Sequence, residues 1–216
     1  MNKILISLMI IPLVLALMGA GVYALFSDTE AATGNTFTAG TLNLQVGSAD
    51  PCTDKVTLSN IKPSDANTAA TWLVKNLGSL AGSLDITVGA ISNNENSITE
   101  PEAAAGDVTT PGGELGGLLK VAFWMDADKS GTWTSGDYYL KSDGTKVVWA
   151  SGSTLPAAAY DLVNSYPHTW SGVQAVAATT DAGNFRVEYD FPDSGAGDNV
   201  AQGDSCVFDI TFVLNQ

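Results

Sequence analysis

The segment Asp126-Ala127-Asp128-Lys129-Ser130-Gly131-Thr132-Trp133-Thr134-Ser135-Gly136-Asp137 places oxygens at the spacing of a twelve-residue calcium loop. Asp126, Asp128 and Ser130 fall at positions 1, 3 and 5. Gly131 stands at position 6, where such a loop turns sharply. Thr132 offers its backbone carbonyl from position 7, and Thr134 reaches through water from position 9. Asp137 closes the loop at position 12, one methylene shorter than the usual Glu. A hard cation needs several oxygens converging on one point, and this spacing supplies them from one short segment. Two readings follow. One is a structural calcium site suited to millimolar extracellular levels. The other is an Asp/Gly-rich hairpin turn that binds nothing.

Other chemistries find fewer residues. The 216 residues hold 9 Lys+Arg, 23 Asp+Glu and a single His, a formal net charge of −14. A chain this acidic repels phosphate backbones, so no nucleic-acid partner is expected. One His cannot build a multi-His zinc centre, and H-E-x-x-H is absent. No G-x-S-x-G elbow or Cys/His pair is evident either. The expectation is therefore a protein that is not an enzyme. Trp124, Trp133, Tyr138, Tyr139 and Trp149 cluster around one hairpin. Core packing explains them more simply than a sugar-binding face.

The elements that must position these residues read as strands. Period-two alternation recurs at Leu42/Leu44/Val46, Val56/Leu58, Trp72/Val74 and Leu84/Ile86/Val88. It returns at Phe185/Val187/Tyr189/Phe191 and at Cys206/Phe208/Ile210/Phe212/Leu214. The calcium-type loop is flanked by strand-like segments 118–125 and 138–141, so it lacks the two-helix hand. Residues 92–117 lack apolar periodicity and read as a surface excursion, partly helical around 102–105. Residues 155–165 read as a short helix, with Thr154 as N-cap and Pro156 in the first turn. The fold class is all-β: an antiparallel sandwich with a short helix and surface excursions. With 45% hydrophobic and 15% charged residues, the chain is no disordered acidic tail.

The amino terminus reads as an export signal. Lys3 supplies a positive start, residues 4–18 are nearly all apolar, and Val22 and Ala24 fit a small-residue cleavage site. The alternative is an uncleaved membrane anchor. Cleavage by signal peptidase after Ala24 removes Lys3 and no acid. The mature chain then carries 8 bases and 23 acids, a net −15. Two cysteines outside the cytoplasm, Cys52 and Cys206, suggest a disulfide; two free thiols are the alternative.

A resemblance follows from the order of segments. Leu25-Phe26-Ser27-Asp28 follows the cleavage site, then Phe37-Thr38-Ala39-Gly40-Thr41-Leu42-Asn43-Leu44. Next come Leu58-Ser59-Asn60-Ile61-Lys62-Pro63-Ser64-Asp65 and Asn76-Leu77-Gly78-Ser79-Leu80. The chain resembles the TasA/camelysin family of secreted fibre proteins, archaeal relatives included. The resemblance covers the first half of the mature domain and the final strand. It implies a jelly-roll-like sandwich and head-to-tail assembly into matrix or pilus-like fibres. In such fibres one subunit's amino-terminal segment lies as a strand in the next. Here that donor would be residues 25–37, anchored by Leu25, Phe26 and Phe37. The expected organisation is 1–24 signal, 25–37 donor and 38–216 sandwich. The expected partner is a second copy, with contacts to cell envelope or matrix. Some relatives are classed as metallopeptidases, so that activity stays as an alternative. A monomeric module binding glycan or a partner through the aromatic hairpin is another.

Overall fold

A computed structural model of the chain describes residues 3, 4, 6, 8–13, 15, 38–54, 61–108, 112–162 and 166–216. The chain divides into two units, 1–39 and 40–216. In the first, the described residues between 3 and 15 are helical, and their apolar side chains are exposed. No helix among the described residues is long and apolar enough to cross a membrane. The expected cleavage at Ala24, the anchors Leu25, Phe26 and Phe37, and the alternating Val56/Leu58 lie outside the described residues.

The second unit is built from the alternating segments. Its strands are β1 (Leu44–Val46), β2 (Ala66–Asn76), β3 (Gly82–Val88), β4 (Ser92–Asn94), β5 (Lys120–Asp126), β6 (Tyr138–Leu140) and β7 (Lys146–Val148). They continue with β8 (Asp161–Leu162), β9 (His168–Val176), β10 (Thr180–Asp190), β11 (Ser205–Val207) and β12 (Ile210–Asn215). The larger sheet runs β1-β2-β10-β5-β6-β7, with β8 also on β5, and all its pairs are antiparallel. The smaller sheets are β12-β3-β9 and β11-β4. This is the all-β antiparallel sandwich that the alternation predicts.

The two main sheets bury their facing side chains against each other. Phe185 of β10 meets Phe212 of β12 edge-on, ring centroids 5.0 Å apart. It stacks on Phe123 of β5 at 6.2 Å, and Phe208 meets Phe123 at 6.0 Å. Leu84, Ile86 and Val88, the inward residues of β3, are fully buried in this core. On the outer face of the larger sheet, Trp124, Trp133, Tyr139 and Ala122 form a second buried cluster, with Trp149 half-buried against it. The aromatic hairpin is thus packed structure, as expected from its composition.

The motifs that carry the resemblance interlock. Asn76 is fully buried and donates from Nδ2 to the carbonyls of Leu80 (2.7 Å) and Ala177 (3.1 Å). Its Oδ1 accepts the Gly78 N–H at 2.9 Å. Gly78 lies against the backbone of 41–43, where a Cβ would meet Thr41 O at 2.3 Å. Thr41 N–H donates to Ser79 Oγ, and Leu80 N–H to Thr41 O. Farther on, the predicted turn at 62–65 closes with Lys62 N–H on Asp65 Oδ2 at 2.9 Å.

Two expectations change. The helix read over 155–165 is a single 3-10 turn at Ala157–Ala159, followed by β8. Pro156 is extended, and Asp161 and Leu162 pair with β5 instead of continuing a helix. The final alternating run is broken at 208–209. Its first part pairs with β4 and its second with β3, so the chain changes sheets there. The excursion over 92–117 carries α1 (Glu100–Ala105) and α2 (Leu115–Leu118), the first close to where helix was expected.

Candidate functional site

The calcium-type loop leaves the end of β5 and returns at β6, the flanking strands expected from sequence. Carboxylate oxygens of Asp126, Asp128 and Asp137 lie within 4.8 Å of one another. Asp126 and Asp137 are wholly buried; Asp128 is exposed. Gly131 adopts φ +77°, the left-handed turn that position 6 requires. Backbone N–H groups of Ser130 and Gly131 donate to the two oxygens of Asp126 at 3.0 and 2.9 Å. Asp137 accepts from Ala127 N–H at 2.8 Å and Thr134 N–H at 2.7 Å. Ser130 Oγ donates to the Thr132 carbonyl at 3.1 Å, and Thr134 Oγ1 donates to Asp128 at 2.9 Å. All five residues named for the site therefore meet in one loop, with Thr134 beside them.

The electrostatics divide the acids. Burial pushes the Asp126 carboxyl up from its ordinary value. Hydrogen bonds from Ser130 and Thr134 hold Asp128 down at about 2. Arg186, from β10, approaches Asp126 at 3.9 Å while its guanidinium lies over Trp124, 5.2 Å from the ring centre. Only one cation thus faces three carboxylates at this loop among the described ion pairs.

A second feature is a groove of about 1280 Å³, lined by apolar side chains together with Asp50, Asp54, Asp198, Asp204 and Asp209. Leu44 and Val46 of β1, Trp72 of β2, Val187 and Tyr189 of β10, and Ile210 and Phe212 of β12 line it. Both main sheets contribute, and among the described residues β1 and β12 are terminal strands of their sheets. Among the described residues, the outer edge of β12 pairs with no strand. Leu44, Trp72, Phe208, Ile210 and Phe212 are only partly buried along it. The groove was not legible in sequence, because strand order, not strand pattern, decides which edges remain open.

Cys52 and Cys206 both line this groove, but they are free thiols and not the expected bridge. Cys52 sits exposed on the loop after β1, whereas Cys206 is held half-buried on β11 by pairing with β4. Burial pushes the Cys206 thiol up. His168 opens β9, its ring 5.0 Å from that of Trp170.

An antiparallel sandwich with a carboxylate-rich loop and an open groove is the class of domain these features define. The family model described as camelysin metallo-endopeptidase matches residues 1–216, and the chain belongs to that family. This agrees with the resemblance to the TasA/camelysin proteins drawn from its motifs. No curated protein matches the chain. The family's description overturns the expectation that the chain is not an enzyme: it points to possible peptidase activity. That expectation rested on missing His, Ser and Cys motifs, and a family defined over the whole chain carries information that motif absence does not. The metal implied by the description must find its ligands among the donors present. The described clusters able to hold a cation are made of carboxylates alone. Oxygen donors suit a hard cation such as Ca²⁺ or Mg²⁺; a His- or Cys-ligated zinc does not fit them.

Proposed function

We propose that the chain is an exported structural subunit of the camelysin family that polymerises head to tail. In this reading the groove along β12 accepts residues 25–37 of a second copy. The open groove is the observation that carries it. Apolar side chains from both sheets line it, and β12 beside it offers an unpaired strand edge among the described residues. Strand addition draws affinity from main-chain hydrogen bonds and register from alternate side chains. Thirteen residues, 25–37, span about 40 Å when extended, against about 20 Å for the six of β12. Leu25, Phe26 and Phe37 are the anchors available to the groove's apolar side chains. Such a contact does not close on itself, so it builds an open filament. Cleavage after Ala24 frees the donor, and export places the fibre outside the cell, at the surface or in a matrix. Subunits of net −15 repel, so assembly needs screening salt or divalent ions. In the same reading the loop 126–137 holds a structural Ca²⁺ that pins the β5–β6 hairpin.

The test is complementation. A chain lacking residues 1–37 is titrated with a synthetic peptide of residues 25–37. The reading expects one peptide bound per chain, with competition by a Phe26→Asp peptide at least tenfold weaker. Absence of binding overturns it. The alternating Val56 and Leu58 stand between two groove-lining residues, Asp54 and Ile61; if that segment fills the groove of its own chain, the peptide will not bind. The family's description favours a second reading, metal-dependent cleavage of polypeptide. Chelator-sensitive hydrolysis of casein by the purified chain, rising with purity, is the result that reading expects.

A further inference from the structure

A second group of acids lies away from the calcium-type loop, where the excursion 92–117 meets the turn before β11. Carboxylate oxygens of Glu95, Glu114 and Asp204 lie within 4.8 Å of one another, and so do those of Glu95, Glu102 and Asp107. Residues 95 and 204 are far apart in sequence, and the fold alone brings them together.

Glu102 makes this more than an acidic cluster. It is 0% exposed, yet it sits in the first turn of α1 among like charges. Its Oε2 caps the helix by accepting the Thr99 N–H. Its Oε1 is buried and accepts no hydrogen bond. Both oxygens of Glu95 and Oδ1 of Asp204 are likewise buried, with no donor beyond a proton the two carboxyls can share. The other oxygen of Asp204 accepts the N–H groups of Glu114 and Leu115 at 2.6 and 3.2 Å. Glu95, Glu102 and Asp204 take part in none of the ion pairs among the described residues. Burial, the neighbouring Asp204, Glu102 and Asp107, and a hydrogen bond with Asp204 push the Glu95 carboxyl up.

Burying a carboxylate oxygen without a partner is unfavourable, because the charge loses its hydration with nothing in exchange. A hard cation removes that cost by giving every bare oxygen a ligand bond. Ligand number, more than size, selects among hard cations here. Oxygens on opposite sides of Ca²⁺, bound at about 2.3–2.6 Å, are about 4.6–5.2 Å apart; around Mg²⁺ the span is about 4.2 Å. Oxygens within 4.8 Å of one another can share one ion of either kind, and a set of carboxylates this large suits Ca²⁺ rather than Mg²⁺, which usually keeps several waters and takes one or two carboxylates.

We propose that Glu95, Glu102, Asp107, Glu114 and Asp204 form a calcium site that clamps the excursion carrying α1 and α2 to the turn preceding β11. Glu95 belongs to both triads and is the central ligand. The site is separate from the 126–137 loop, and it stands whether or not the chain polymerises.

The experiment is flow dialysis of ⁴⁵Ca²⁺ on the full chain carrying Asp128→Asn, which weakens the loop. The site predicts at least one calcium equivalent remaining in that chain. Adding Glu95→Gln should weaken this binding at least tenfold. Because Glu95→Gln removes one of several mutually repelling carboxylates, its calcium-free melting temperature should equal or exceed that of its parent. Glu102→Gln keeps a carbonyl oxygen for the helix cap and provides a second variant, also expected to bind at least tenfold more weakly. No calcium bound at 5 mM (about five times the weakest Kd, about 1 mM, of extracellular modules) in the Asp128→Asn chain would overturn the proposal. Binding that neither glutamine changes would overturn it as well.

Discussion

Substituting Asp128 by Asn should remove much of the calcium response of the 126–137 loop while leaving the core intact. Asp128 is the exposed member of the triad, so the change opens no cavity. Within 4.8 Å, each pair of carboxylates repels by about 1 kcal/mol at the dielectric of water and about 3.5 kcal/mol at an effective dielectric of 20. Arg186 at 3.9 Å from Asp126 offsets part of this. A dication reverses the sign of the whole interaction. Affinities of extracellular calcium modules lie at about 10⁻⁴–10⁻³ M, so 5 mM Ca²⁺ stabilises one such site by about 1–2.3 kcal/mol. For a domain of this size each kcal/mol moves the melting temperature by about 2–4 °C. The loop's share is therefore about 2–9 °C. Differential scanning calorimetry in 5 mM CaCl₂, 5 mM MgCl₂ and chelator reads it directly. The wild-type chain should shift upward in calcium more than Asp128→Asn does, by that amount. Equal calcium shifts in the two chains would refute the loop as a calcium site.

Three further outcomes follow from the same structure. Asn76→Ala should lower stability by about 1–3 kcal/mol for each buried partner it strands, read by urea denaturation; an unchanged midpoint would detach the shared motif from the fold. Asp143 is held down at about 2 by Thr145 in the β6–β7 turn, so the contact stabilises above the usual carboxylate range and is lost as pH falls from about 4 to about 2. Asp143→Asn should remove that pH dependence from hairpin amide exchange, and the dependence persisting would reject the assignment. Cys52, exposed, should react with a thiol reagent faster than the half-buried Cys206; absence of both thiols in the unfolded, unreduced chain would restore the disulfide.

The strands were legible because their inward residues alternate cleanly. Leu84/Ile86/Val88 and Phe185/Val187/Tyr189 became core as the pattern requires. The calcium-type loop was legible because its ligands are local in sequence. What sequence hid was non-local. The groove depends on β1 and β12 being terminal strands among the described residues, and the Glu95–Asp204 cluster depends on an excursion folding back on a distant turn. The 155–165 segment misled because Pro and Ala favour a helix start locally, while Asp161 and Leu162 pair with β5 instead. The break at 208–209 was hidden for the opposite reason. Alternation continues through it, though the pairing partner changes from β4 to β3.

The central claim is assembly by strand donation. Its most direct measurement is negative-stain electron microscopy of the chain beginning at Leu25, beside the same chain beginning at Thr38, in physiological salt with 5 mM calcium. The account predicts filaments from the first and only single particles from the second. Filaments from both chains, or single particles from both across salt and calcium, would contradict it.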